Sequence, residues 1–171
     1  MKKFLIIGIL VVIVAIASIF VFMNQSSIRT ENIPAEYNPE INPANFVSEV
    51  DNKYFTLTPG KKFTYTAETE EGTERNEVIV TNETKTVFGI RAIVVWDRVF
   101  LNDELIEDTK DWYAQDKDGN IWYLGEDSKE IVDGKIASTE GSWEAGVDGA
   151  KAGIIMLANP QIGITYRQEY Y

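Results

Sequence analysis

Hydrophobic and polar positions divide the chain into three textures. Residues 4–23 are apolar or small, without one ionisable side chain. At about 1.5 Å per residue such a run makes a helix of roughly 30 Å, the thickness of a bilayer's hydrocarbon core. Residues 24–45 are polar, hold Pro34, Pro39 and Pro43, and show no apolar periodicity, which predicts an extended tether. From residue 46 onward, short apolar or alternating runs recur between turn signals, the pattern of antiparallel β structure.

Within residues 46–171 the runs predict strands near 54–58, 63–67, 77–80, 86–88, 91–101, 105–115, 121–124, 130–132, 135–137 and 164–171. Turns are expected at Pro59-Gly60, Glu71-Gly72, Asn82-Glu83-Thr84, Asn102-Asp103, Asp118-Gly119 and Asp133-Gly134. Only residues 146–157 have a helical cast, and their glycines favour a loop or a single turn. The expectation is an all-β fold, an antiparallel meander of about nine or ten strands with short loops. Trp112 and Tyr113 are adjacent, as are Trp122 and Tyr123, and adjacent strand residues point to opposite faces. The sheet should therefore be covered on both sides somewhere, or roll into a curved sheet, half-barrel or barrel.

Residues 1–23 are expected to be one N-terminal transmembrane helix, with Lys2 and Lys3 keeping the N-terminus in the cytoplasm. Residues 24–45 then form an extracytoplasmic linker and residues 46–171 an extracytoplasmic β-domain at the cell membrane. The alternative is a cleaved signal peptide, since Ala15-Ile16-Ala17 has the small-x-small pattern of a cleavage site. Cleavage there would secrete the domain with the apolar residues 18–23 at its mature end. With no cysteine to acylate, a lipoprotein anchor is excluded.

Lys and Arg number 16 against 27 Asp and Glu, a net charge of −11 that repels phosphate backbones and argues against nucleic acid as a partner. The same charge disfavours anionic head groups and suits solubility or cation binding. An exported chain without cysteine has no disulfide framework and stands on its core. The chain also has no histidine, which removes the commonest general base, histidine metal sites and Ser-His-Asp chemistry. Four Trp, eight Tyr and eight Phe suit cross-strand packing in a β-rich domain.

Two stretches carry a resemblance. Residues 111–126 read DWYAQDKDGNIWYLGE; residues 141–150 read GSWEAGVDGA and lead to YRQEYY at 166–171. Together they resemble a group of uncharacterised exported prokaryotic β-domain proteins, over roughly residues 54–171. The resemblance implies an exported, all-β domain and carries no catalytic or binding residues with it. Members of the group continue beyond the final Tyr-Tyr, so it also implies further residues after Tyr171.

Asp116-Lys117-Asp118-Gly119-Asn120 places oxygen ligands at alternate positions before and after a glycine, as a calcium loop does. Asp116, Asp118 and Asn120 are the candidate ligands. The competing reading is a tight Asp-Gly hairpin between Tyr113 and Trp122. Among the aromatics, Trp96, Trp112, Tyr113, Trp122, Tyr123 and Trp143 could line a cleft for a small apolar or sugar ligand. Ordinary core packing explains them too. Trp112, Trp122, Tyr123 and Trp143 are the ligand-binding candidates. Glu104, Glu107, Asp108, Asp111, Glu126, Asp127, Glu140 and Glu144 offer carboxylate pairs for a hydrolase, but acidic turns account for them equally. Gly141, Gly146, Gly149 and Gly153 form no nucleotide-binding motif. Asn24 and Asn82 open N-glycosylation sequons.

The expected function is a non-catalytic, membrane-anchored binding or interaction domain, with a ligand or envelope protein as partner and no obligatory cofactor. The alternatives are a structural or adhesive envelope module steadied by calcium, and a carboxylate-based hydrolase.

Overall fold

The computed structural model describes residues 37–170. The expected membrane helix and most of the tether lie outside the described residues. Among the described residues no helix is long and apolar enough to cross a membrane.

Among the described residues nine strands form one antiparallel sheet: β1 (Lys62–Thr69), β2 (Gly72–Val87), β3 (Ile90–Leu101), β4 (Glu104–Gln115), β5 (Ile121–Val132), β6 (Lys135–Ser138), β7 (Trp143–Glu144), β8 (Lys151–Met156) and β9 (Glu169–Tyr170). Strands β1 to β5 are a plain meander. The second edge of β5 is shared in succession by β8 at Ile121–Tyr123, β7 at Gly125–Glu126 and β6 at Glu130–Val132. Among the described residues β1 pairs only with β2 and β9 only with β8, so the curled sheet is an open half-barrel.

Local chemistry explains where the strands turn. Asn102-Asp103 and Asp133-Gly134 both have positive φ at each residue, the conformation a two-residue hairpin turn requires. The turn expected at Asn82-Glu83-Thr84 does not form. Val80 pairs with Val95 and Thr84 with Ile93, so three residues of β2 face Val94 alone in a bulge. The Thr81 hydroxyl holds that bulge by donating to the Val94 carbonyl at 2.7 Å. The chain turns instead at Phe88-Gly89, with φ of 54° and 79°. A bulky side chain rarely adopts positive φ, so nothing local advertises this turn.

Three other expectations are corrected. Residues 121–124 and 130–132 are the two ends of one strand, because the polar stretch between them still pairs with β4. The glycine-bearing segment 146–157 supplies β8, not a helical turn. Residues 54–58 do not pair as a strand. There Asn52 Oδ1 accepts from the N–H groups of Tyr54 and Phe55, and the segment crosses the sheet with Leu57 buried.

The core gathers at one end of the strands. Val80, Val87, Ile90, Val94, Val95, Ile121 and Leu124 are buried there with Leu57 and Trp143. The entering chain covers both faces. Phe46 meets Trp122 edge-on at 6.2 Å, and Phe55 meets Tyr113 edge-on at 5.3 Å. Between them Gln115 Oε1 accepts from the N–H groups of Asp51 and Asn52, clamping the crossing segment to the end of β4.

Candidate functional site

The register of β3, β4 and β5 decides which side chains share a face. Asp97 stands opposite Thr109, which stands opposite Ser128; Val95 stands opposite Asp111, which stands opposite Glu126. Paired residues lie on the same face. One face therefore collects Asp97, Glu107, Asp111 and Glu126. Tyr113 and Tyr123, paired to each other, and Trp143, paired to Glu126, belong to it as well.

On this face the polar groups are bonded in a row. Asn76 Nδ2 donates to Asp97, and the Thr109 hydroxyl lies 3.0 Å from Glu107 Oε1 and 3.1 Å from Ser128 Oγ. The Tyr123 hydroxyl donates to Asp111 at 2.6 Å. Tyr113 and Tyr123 stack with centroids 4.8 Å apart, and Trp143 meets Tyr123 edge-on at 5.2 Å.

Burial disfavours the charged form of a carboxyl group. It pushes Asp97 up to about 6 against the pull of Asn76, with Glu107 adding like-charge repulsion. It raises Asp111 well above the usual range, and Asp97, Glu126 and Glu107 add to the rise. Glu126 is pushed up to about 7, again by burial first, with Glu169 and Glu107 contributing. Tyr123 and Trp143 pull Glu126 the other way, although the buried Trp143 Nε1–H makes no hydrogen bond of good geometry.

Trp112 and Trp122 point to the opposite face, paired with Val94 and Ala114. Thus the register separates the four aromatic candidates two and two: Tyr123 and Trp143 touch on one face, Trp112 and Trp122 lie on the other. Trp122 is tied down by Phe46 and by its Nε1–H, which donates to Asp116 Oδ2 at 2.8 Å.

The two faces meet at a bulge in β5. Between the Asp111/Glu126 and Tyr113/Tyr123 pairs, Leu124 and Gly125 together face Trp112. Gly125 has φ +139°, and a Cβ there would lie 2.3 Å from the Trp143 carbonyl oxygen and 3.0 Å from Trp112 Cε3. Only glycine lets β7 and the Trp112 indole approach the same peptide. A cleft of about 380 Å³ opens beside this bulge, lined by Lys85, Trp112, Glu126, Asp127, Ser142, Trp143 and Glu144. Lys85 Nζ sits 3.5 Å from the Trp112 ring centroid and 2.8 Å from Glu144 Oε2. Trp112 and Trp143, 112 and 143 in a chain where neither is near the other in sequence, are thus brought to one cleft by tertiary structure.

The calcium candidates form the β4–β5 connection. Asp116 Oδ1 accepts from the Asn120 N–H, and Oδ2 accepts from Asn120 Nδ2 and Trp122 Nε1. Asn120 Oδ1 accepts from the Ala158 N–H at 3.0 Å, while Asp118 is exposed. As arranged, the oxygens of Asp116 and Asn120 serve the turn. Among the described residues no three His, Cys, Asp or Glu stand close enough together to hold a metal ion.

Asp97 and Lys85 escaped the sequence reading. For Asp97 a signal existed: it is a lone carboxylate in the long apolar run 91–101, on the same alternation as Val95 and Val99. For Lys85 there was none. Compared with known proteins, the chain matches no family model, no curated protein and no solved structure.

Proposed function

We propose that this chain is a non-catalytic binding domain, held outside a membrane by a helix over residues 1–23, whose ligand seat is the Trp112/Trp143 cleft. The reading accords with the resemblance to exported prokaryotic β-domains. One observation carries it: two indoles, the carboxylates Glu126, Asp127 and Glu144, and the cation Lys85 converge on one cleft of about 380 Å³. Small-ligand sites are concave, with apolar or aromatic walls and a few polar groups that set orientation, at volumes from about 300 Å³. The chemistry suits a neutral, hydroxyl-rich ligand such as a mono- or disaccharide. The indoles, largely buried, give the cleft its apolar wall, and hydroxyls donate to carboxylates and accept from an ammonium.

A carboxylate hydrolase has one observation in its favour, the raised Glu126 beside Asp111. Asp111, however, is 2% exposed and bonded beneath Tyr123, so the pair does not flank an open space as glycoside hydrolysis needs.

Titration of the full chain with neutral mono- and disaccharides, followed by tryptophan fluorescence, tests the binding reading. Saturable change in the millimolar range or below is expected, weakened about tenfold by Glu126→Gln, the size of one lost charge-assisted hydrogen bond. No saturable change with any sugar, and no small-molecule adduct on the purified chain by native mass spectrometry, would overturn it.

A further inference from the structure

The first strand of the sheet has an unused edge. β1 pairs with β2 over eight consecutive positions, from Lys62↔Ile79 to Thr69↔Gly72, without a register shift. The β2–β3, β3–β4, β4–β5, β5–β6 and β5–β8 pairs each contain one. Among the described residues no backbone group of the outer edge of β1 is hydrogen-bonded. Of the usual protections of such an edge, β1 has no bulge and no proline, and its charges are one lysine and one glutamate near its two ends.

The phase of that edge follows from one bond. The Val80 N–H donates to the Lys61 carbonyl at 2.9 Å, so residue 61 faces β2. In an antiparallel ladder the residues alternate. Phe63, Tyr65, Ala67 and Thr69 therefore bond inward, and Lys62, Thr64, Thr66 and Glu68 present their N–H and C=O groups outward. A partner strand must meet these four with its own outward groups.

We propose that a second copy of this chain fills the edge, β1 against β1, antiparallel about a two-fold axis at Tyr65. In that register Lys62 faces Glu68 of the other copy, Thr64 faces Thr66, Phe63 faces Ala67 and Tyr65 faces itself. Lys62 and Glu68 are the only charged residues of β1, so both ion pairs close and the edge is neutral in a chain of net charge −11. The register is one of the few in which outward groups meet outward groups, and it gives the longest overlap with the charges matched. Lys62 lies 3.0 Å from Glu77 and Glu68 accepts from the Thr73 hydroxyl, both on β2, so in the dimer each charge is shared between its β2 neighbour and the facing copy.

The chain has no cysteine, which makes the test direct. Residues facing each other in a non-hydrogen-bonded pair have Cα atoms about 4.5 Å apart, within disulfide range. Full-length Tyr65→Cys should therefore oxidise to a covalent dimer. Ala67→Cys, on the same face but four positions off register with its own copy, should cross-link at least tenfold less. In the Tyr65→Cys background, Thr64→Pro removes an outward N–H without touching a bond to β2 and should abolish the dimer. Glu68→Lys sets Lys against Lys62 and should lower the yield, and adding Lys62→Glu should restore it. Equal cross-linking at 65 and 67, no dimer at 65, or a yield indifferent to both Thr64→Pro and the charge exchange would overturn the proposal, the second outcome leaving a different chain's strand as the occupant.

Discussion

Toward the Phe88-Gly89 turn, β2 to β5 bury Val80, Val87, Ile90, Val94, Val95, Ile121 and Leu124 against chain that covers both faces. Toward the Asn102-Asp103 turn, the same strands carry Asn76, Glu77, Asp97, Arg98, Thr109 and Ser128. The ladder of backbone hydrogen bonds runs through both halves, so pairing alone does not distinguish them. What differs is how each half satisfies its side chains. The apolar half loses surface to its neighbours. The polar half bonds its groups to one another: Glu77 takes Lys62 of β1 at 3.0 Å, Arg98 of β3 at 2.8 Å and Arg75 of its own strand at 2.5 Å. The Lys62 hydrogen bond and the three cations hold Glu77 below the usual carboxylate range. Arg98 lies 4.1 Å from the Trp96 centroid, and Arg75 lies 4.0 Å from that of Phe100. A single strand can thus be core at one end and a bonded polar surface at the other, and the second kind of order depends on pH while the first does not.

The largest expected effect is in the apolar half. Leu124 has no exposed surface, and Leu124→Ala should cost about 2–5 kcal/mol in denaturant unfolding, with little change in pH dependence. A cost under 1 kcal/mol would mean the apolar half is not the stability core.

The next effect concerns the buried carboxylates. Asp97 titrates near 6 in the folded chain against 3.8 as its ordinary value, so the folded state holds the proton longer than the unfolded one. Its contribution to stability is complete below about pH 4 and is lost as pH rises through about 6. Glu126, at about 7, extends the same decline. Melting temperature should therefore fall between pH 4.5 and 8. Asp97→Asn keeps an acceptor for Asn76 and should be more stable than the parent at pH 8 by roughly 1–3 kcal/mol, with the difference vanishing near pH 4. A parent chain equally stable at both pH values would break this account of the polar half.

The smallest effect tests the other face of the same half. Arg98→Ala removes one of three cations from Glu77 and a stacked guanidinium from Trp96, for about 1 kcal/mol at low salt. A loss as large as that of Leu124→Ala would erase the contrast between the halves.

The all-β class and the positions of β1, β3, β4 and β6 were legible in local pattern, because period-two alternation and turn residues such as Asn102-Asp103 and Asp133-Gly134 act locally. Adjacent aromatics at 112–113 and 122–123 correctly required cover on both faces. Long-range pairing set the rest: β2 bulges at 81–83 and turns at Phe88-Gly89, β5 continues as one strand to Val132, and residues 151–156 form a strand. It also decided the site. Which carboxylates are buried depends on cross-strand register, and the approach of Trp112 and Trp143 depends on one extra residue in β5 at Gly125. A bulge shifts every neighbour beyond it, and partners as far apart in the chain as Lys85 and Glu144 leave no mark on local alternation, so faces and clefts are set by strand pairing and not by any stretch of sequence read alone.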